Sequence, residues 1–207
     1  MRAILKLCLF APLLLILGAC ASGPGMTPVT TLGEMACSAQ PDLAQAQVLQ
    51  MGAGMKVTLD PVTRCWKSAE GAASSYVVFK LPVANDGYML LVSSEPRGIV
   101  LLSPRLFILD AQGGLLRDVA NEKFMFRGAD FGTSLRARPG DAYLVVASDP
   151  ASIGGQVSNI VGSVTQGSMV AGPFIVQTYT GSERNEKRVF SHNGVIEAKA
   201  EPLPKAN

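Results

Sequence analysis

The chain has 207 residues, with 18 basic and 16 acidic side chains, 16% charged residues and 48% apolar ones. So even a balance offers no basic stripe for nucleic acid. The length suits one domain with a proper core once any targeting segment is set aside.

The N-terminus carries Arg2 and Lys6 ahead of an uncharged apolar run over 7–17. This is the charged and apolar order of a secretory signal. Eleven residues rise about 1.5 Å each in a helix, roughly half of a ~30 Å hydrocarbon core, so the run is too short to span. It ends in Leu17, Gly18, Ala19 and Cys20, which resembles the bacterial lipobox. That resemblance implies a signal peptide over 1–19, cleavage before Cys20, and fatty acyl chains on Cys20 that tie the chain to a membrane. Two or three chains hold durably where one holds reversibly. The other reading is an ordinary secretory signal cut after Ala19, with Cys20 a spare thiol. Ala21, rather than Asp, follows the cysteine; in the sorting rule of Gram-negative lipoproteins this implies the periplasmic face of the outer membrane. Removing 1–19 leaves 16 basic and 16 acidic residues.

Residues 20–41 are rich in Gly, Pro, Thr, Ser and Ala and read as a flexible tether. The domain is expected over 42–207. Asp42 ahead of Leu43, Ala46 and Leu49 predicts one or two helical turns. Of the four cysteines, Cys8 leaves with the signal and Cys20 carries lipid, so Cys37 and Cys65 remain. An oxidising envelope predicts a Cys37–Cys65 disulfide, the alternative being two buried thiols. With His192 the single histidine, a four-ligand zinc site is not expected, and no cofactor motif is present.

From Lys56 onward the pattern is short runs of Val, Ile, Leu, Phe and Tyr punctuated by Gly, Pro, Asn and Asp. Strands are predicted over 56–59, 75–83, 87–93, 105–110, 122–126, 134–138, 142–148 and 173–180. In the second, a period of two sets Val77, Phe79, Leu81 and Val83 opposite Lys80; Leu135 and Ala137 likewise oppose Arg136 and Arg138. One buried face per strand predicts an all-β, antiparallel β-sandwich, immunoglobulin-like or jelly-roll-like. Asn193-Gly194 predicts a final hairpin between 186–191 and 195–199. A three-residue loop there pairs Phe190 with Ile196 and leaves His192 in an exposed turn.

One stretch breaks the rhythm. Residues 150–172 contain five glycines, yet Ile153, Val157, Ile160, Val161 and Val164 fall at helical spacing. One reading is a helical crossover packed over an end of the sandwich. The other is a mobile loop whose Ile153, Val157, Ile160 and Val164 meet a partner, since connections this long are usually functional or disordered.

Catalytic patterns are sparse. No G-x-S-x-G, S-x-x-K, H-E-x-x-H, P-loop or dinucleotide fingerprint occurs. A serine or cysteine nucleophile would need His192 as its base. Asp110, Asp118, Glu122, Asp130, Asp141 and Asp149 are the acids that a glycan hydrolase would have to pair. Each sits at a strand end or turn, where a solvated acid is the ordinary role. Trp66, Tyr76, Tyr88, Tyr143 and Tyr179 are the aromatic candidates for a sugar platform, and most lie in apolar runs. No catalytic site is expected.

Three blocks carry a family resemblance: Tyr76-Val77-Val78-Phe79-Lys80-Leu81-Pro82, then Leu102-Ser103-Pro104-Arg105-Leu106-Phe107-Ile108-Leu109-Asp110, then Asp141-Ala142-Tyr143-Leu144-Val145-Val146. Their order and the Gly-rich stretch after them resemble the maltose operon periplasmic protein family, over about half of the mature chain. Members of that family have an ordinary secretory signal and a Pro/Ala-rich linker to a helical tail, where this chain has a lipobox and ends at Asn207. The resemblance implies a shared sandwich and a periplasmic, non-enzymatic accessory role near carbohydrate uptake, and it transfers no site residue. Two functions of different class are expected from the chain as a whole: a lipid-anchored module that binds an envelope protein or glycan partner, or an envelope glycan hydrolase acting through clustered acids.

Overall fold

The computed structural model describes residues 26–33, 36–61, 64–68, 71–83, 87–171 and 174–203. Cys20 lies outside them. The described residues form fourteen strands: β1 (Gln47–Val48), β2 (Gly54–Leu59), β3 (Cys65–Lys67), β4 (Ala73–Lys80), β5 (Tyr88–Glu95), β6 (Val100–Leu102), β7 (Pro104–Leu109), β8 (Leu115–Val119), β9 (Met125–Arg127), β10 (Asp130–Ala137), β11 (Tyr143–Ser148), β12 (Gln156–Ala171), β13 (Phe174–Ser191) and β14 (Gly194–Pro202). The chain is all-β, as the period-two pattern predicts.

One sheet runs β1-β4-β11-β7-β8, with β3 on β4, and a second runs β2-β14-β5-β10-β9. Pairing is antiparallel except β1 on β4 and β6 on β13. The core forms where the two sheets face each other. From the first come Val77 and Phe79, opposite Val146 and Leu144, which in turn face Leu106 and Ile108. From the second come Leu90 and Val92, paired with Ala200 and Ala198. These side chains sit on alternate positions, as a pleated strand requires.

Four sequence expectations need correction. First, Tyr76 and Val78 are buried as well, on the far side of β4, while Val83 is exposed. Tyr76 and Val78 join Val145 and Ala147 in a second cluster, packed by Leu43, Ala46, Trp66 and Phe107. The first sheet is therefore covered on both faces, because the N-terminal segment folds over its outer side. Second, the part of the tether that is described does not swing free. Cys37 and Cys65 are disulfide-bonded, with Cα atoms 4.6 Å apart, and Leu32 is buried. Asp42 caps a single 3-10 turn, Leu43–Gln45, by accepting from the Ala44 N–H at 3.0 Å.

Third, 186–191 and 195–199 do not form a hairpin. β13 pairs with β6, and β14 crosses to the second sheet, where Ile196 faces Val57 and Ser94. His192 and Asn193 make the corner between sheets, and His192 is only 5% exposed. Fourth, among the described residues of this stretch, 150–171, there is no helix, and irregular structure is confined to a turn over 150–155. From Gln156 it is strand β12, paired with β13 from Gln156↔Val189 to Ala171↔Phe174. β-branched residues and glycine disfavour a helix, and β13 supplies a strand partner.

Candidate functional site

Three places carry groups from which function can be built: the β12–β13 hairpin, a groove on the outer face of the first sheet, and the buried corner at His192.

The hairpin is the largest feature. Sixteen residues in β12 and 18 in β13 rise about 3.4 Å each, so the ribbon is roughly 54 Å long. Among the described residues its root is what meets the sandwich: Val189, Phe190 and Ser191 pair with β6, Val157 packs on the core, and Asn159 Nδ2 donates to the Gly128 carbonyl at 3.0 Å. Met169, Val170, Phe174, Ile175 and Tyr179 are exposed, as are Ile160 at 68% and Val164 at 74%. Of the four predicted contact residues, then, Ile160 and Val164 lie on the open surface. Ile153 and Val157 are half-buried at the root.

The groove holds about 690 Å³ between the outer face of the first sheet and the N-terminal segment. Pro41, Leu43, Trp66, Phe107 and Val145 form its apolar lining, with Arg105, Asp118 and Asp149 among its polar groups. Trp66 meets Phe107 edge-on at 5.0 Å between ring centres, and the Arg105 guanidinium sits 5.3 Å from the Phe107 ring centre. Arg105 forks onto Asp118, Nε to Oδ1 at 3.0 Å and Nη2 to Oδ2 at 2.5 Å. That hydrogen bond to Asp118 holds the Arg105 guanidinium above its ordinary range. Fork and stack together satisfy both charges within the groove wall.

At the corner, Ser148 Oγ lies 2.7 Å from His192 Nδ1 and accepts from the Ser75 N–H at 3.0 Å. Ser75 Oγ donates to the His192 carbonyl. Ser148 is 1% exposed. Burial depresses the His192 pKa and so favours the neutral imidazole; which atom of the Ser148 Oγ–His192 Nδ1 pair donates follows from the ring tautomer. Asp149, next to Ser148 in sequence, accepts from the Ala151 N–H at 3.3 Å and the Ser152 hydroxyl at 3.0 Å. Sequence reasoning placed His192 in an exposed turn and overlooked Ser148.

The six acids have separate occupations. Asp110 closes a turn by accepting from Gln112 and Gly114 N–H at 2.8 and 2.7 Å. Asp118 holds Arg105, and Asp141 binds Arg117 and the Arg138 N–H. Glu122 sits in the 3-10 turn Asn121–Lys123. Burial, with the Glu95 charge second, raises the Asp130 carboxyl. Lys56 bridges Glu95 at 3.1 Å and Glu197 at 3.6 Å. Asp118 and Asp149 are the two of the six that share the groove. Among the described residues, no three His, Cys, Asp or Glu side chains cluster as metal ligands.

One signal for the hairpin was available in the sequence. Residues 150–182 contain no Asp, Glu, Lys or Arg, the longest such run in the chain, and Glu183, Arg184, Glu186, Lys187 and Arg188 follow at once. The outermost apolar residues, Met169, Val170, Phe174 and Ile175, fall inside that run. Compared with known proteins, the chain matches no family model, no curated protein and no solved structure.

Proposed function

We propose that this chain is a lipid-anchored, non-catalytic accessory protein of the cell envelope that binds a protein or glycan partner through the β12–β13 hairpin. The observation that carries this reading is the exposure of Ile160, Val164, Met169, Val170, Phe174 and Ile175 on a ribbon that leaves the sandwich. A surface of that kind marks interaction more often than any internal structural need. The lipobox ending in Cys20 supports attachment by N-terminal lipid, with the periplasmic face of the outer membrane as the place favoured by Ala21. The resemblance to the maltose operon periplasmic protein family supports a role beside carbohydrate uptake. A non-catalytic role is supported by the buried, hydrogen-bonded state of Ser148 and by the turn and ion-pair duties of Asp110, Asp118, Asp141 and Asp149.

The test is excision of the hairpin. Asn159 pairs with Glu186, so replacing 160–185 by Asn-Gly keeps the root and its register. In intact cells, the wild-type chain should crosslink to a partner that the excised chain, still folded and membrane-bound, does not. Equal crosslinking by both chains would sink the reading. So would turnover of an envelope glycan that is lost when Asp118 and Asp149 are replaced by Asn, which would make the chain a hydrolase.

A further inference from the structure

The hairpin has two unpaired edges. β12 is the end strand of its sheet, and β13 pairs with β6 only at Val189, Phe190 and Ser191. An isolated two-stranded ribbon is marginal in water, and long edges are normally blunted by charge, proline or bulges. Here β12 has no charged residue at all, and β13 has none before Glu183.

The length of the uncharged part is informative. From the charged collar to the tip, β12 contributes 162–171 and β13 contributes 174–182, nine or ten residues each. Ten residues extend about 34 Å; tilted by the ~40° usual in barrels they rise about 26 Å, the height of the apolar band of a transmembrane β-barrel. Register places the amides Gln166 and Gln177 on one face with Val164, Val170, Ile175 and Tyr179, whereas Met169 and Phe174 lie on the other with the hydroxyls of Ser163, Thr165, Thr178, Thr180 and Ser182. That second face carries no amide and no charge between positions 163 and 182. The collar closes abruptly, with Glu186 paired to Arg184 at 2.5 Å and also to Arg188.

The chain outside the described residues points the same way. Val29 is fastened to the root of the hairpin: its N–H donates to Ser191 Oγ at 2.7 Å, and its carbonyl accepts from the His192 N–H at 2.9 Å. Cys20 is nine residues earlier, so its lipid can attach no more than about 31 Å from that root. The proposed anchor therefore holds a bilayer within reach of the uncharged strands. A lone hairpin cannot stay in that bilayer, because its edge N–H and C=O groups would have no partners in hydrocarbon.

We infer that second copies of this chain supply those partners: hairpins join edge to edge, β12 of one beside β13 of the next, into a closed barrel whose uncharged band crosses the bilayer and forms a pore. Neighbours in such a ring are antiparallel, as barrels require, and the smallest known barrels, of about eight strands, set a minimum of roughly four copies. The inference rests on the hairpin being the working surface and names what it binds.

The experiment uses the full lipidated protein extracted in mild detergent. Light scattering should give a mass of at least four chains, and addition to planar bilayers of outer-membrane lipid should give discrete conductance steps. Thr165→Lys and Thr178→Lys place charge on the uncharged face at exposed positions. Each should leave the sandwich folded by circular dichroism and lower the frequency of conductance steps at least about tenfold. Ser158→Lys, outside the band, should change it less than about twofold. A protein that is monomeric in detergent and silent in bilayers overturns the barrel, as does conductance indifferent to both band lysines. If such a monomer still crosslinks to a different envelope protein through the hairpin, the barrel fails while the binding reading stands; loss of all hairpin crosslinks removes both.

Discussion

Replacing Ser148 by Ala tests the reassigned corner. The hydroxyl serves two groups at once, accepting from the Ser75 N–H and hydrogen-bonding His192 Nδ1, and both lie in a buried region. Without it each is left unpaired, at about 1–3 kcal/mol per group, so a loss of about 2–6 kcal/mol is expected. Urea unfolding of the unlipidated mature chain, followed by the fluorescence of its single tryptophan, Trp66, is a direct assay. With m about 2 kcal/mol/M, the midpoint should fall by about 1–3 M at unchanged m. The histidine adds a pH signature. Burial holds its folded-state pKa below the ordinary 6.5, so the unfolded chain takes up the proton first. Stability from the neutral imidazole is complete above pH 6.5 and declines as pH falls from there toward the folded-state value. His192→Asn should remove that decline, whereas Ser148→Ala, which leaves the ring buried, should keep it. An alanine variant with an unshifted midpoint would show that the corner is not sealed and refute the reasoning.

Other outcomes follow from single contacts. Cys37→Ser with Cys65→Ser opens a loop of 28 residues in sequence separation and should cost about 3–4 kcal/mol in the chain-entropy model; alkylation of the native protein without reductant should label neither thiol. At Gly194 an added Cβ would lie 2.8 Å from Leu102 Cβ and 3.0 Å from Leu102 N. Gly194→Ala should therefore cost about 1–3 kcal/mol and lower Tm by several degrees, read by calorimetry. Cys20→Ala should abolish incorporation of labelled fatty acid and move the chain from the membrane to a soluble or unprocessed form; equal labelling of both chains would contradict the anchor.

How much of the fold can be read from the residues depends on where the determining contacts lie. Val77 and Phe79 were legible because pleating alone sets them on one face. The burial of Tyr76 and Val78 was not, because what covers them is the N-terminal segment, pinned by a disulfide that spans 28 positions. Asn193-Gly194 is a sound local hairpin signal that lost to distant bonds. Ser191 and Asn193 bind Val29 and Thr27 across more than 160 positions, and Gly194 is needed for close approach to Leu102. The disulfide was within reach because arithmetic left one pair. The Ser148–His192 contact was not, since no spacing in the chain brings positions 148 and 192 together.

The error over 150–172 is of another kind, and it yields the last prediction. Helical spacing placed Ile153, Val157, Ile160 and Val164 on one stripe. In a strand, parity divides them: Ile160 and Val164 share a face, Val157 takes the opposite one, and Ile153 precedes β12. Val157 packs on the core while Ile160 and Val164 stand in solvent. The strand geometry therefore separates a folding role from a surface role that the helical reading merged. Val157→Ala should destabilise by about 1 kcal/mol through lost packing. Ile160→Ser and Val164→Ser should each stay within about 0.5 kcal/mol of wild type, and as a pair should weaken partner crosslinking. Equal destabilisation by all three substitutions, measured by urea unfolding, would mean that they share one buried stripe and that the ribbon does not project as described.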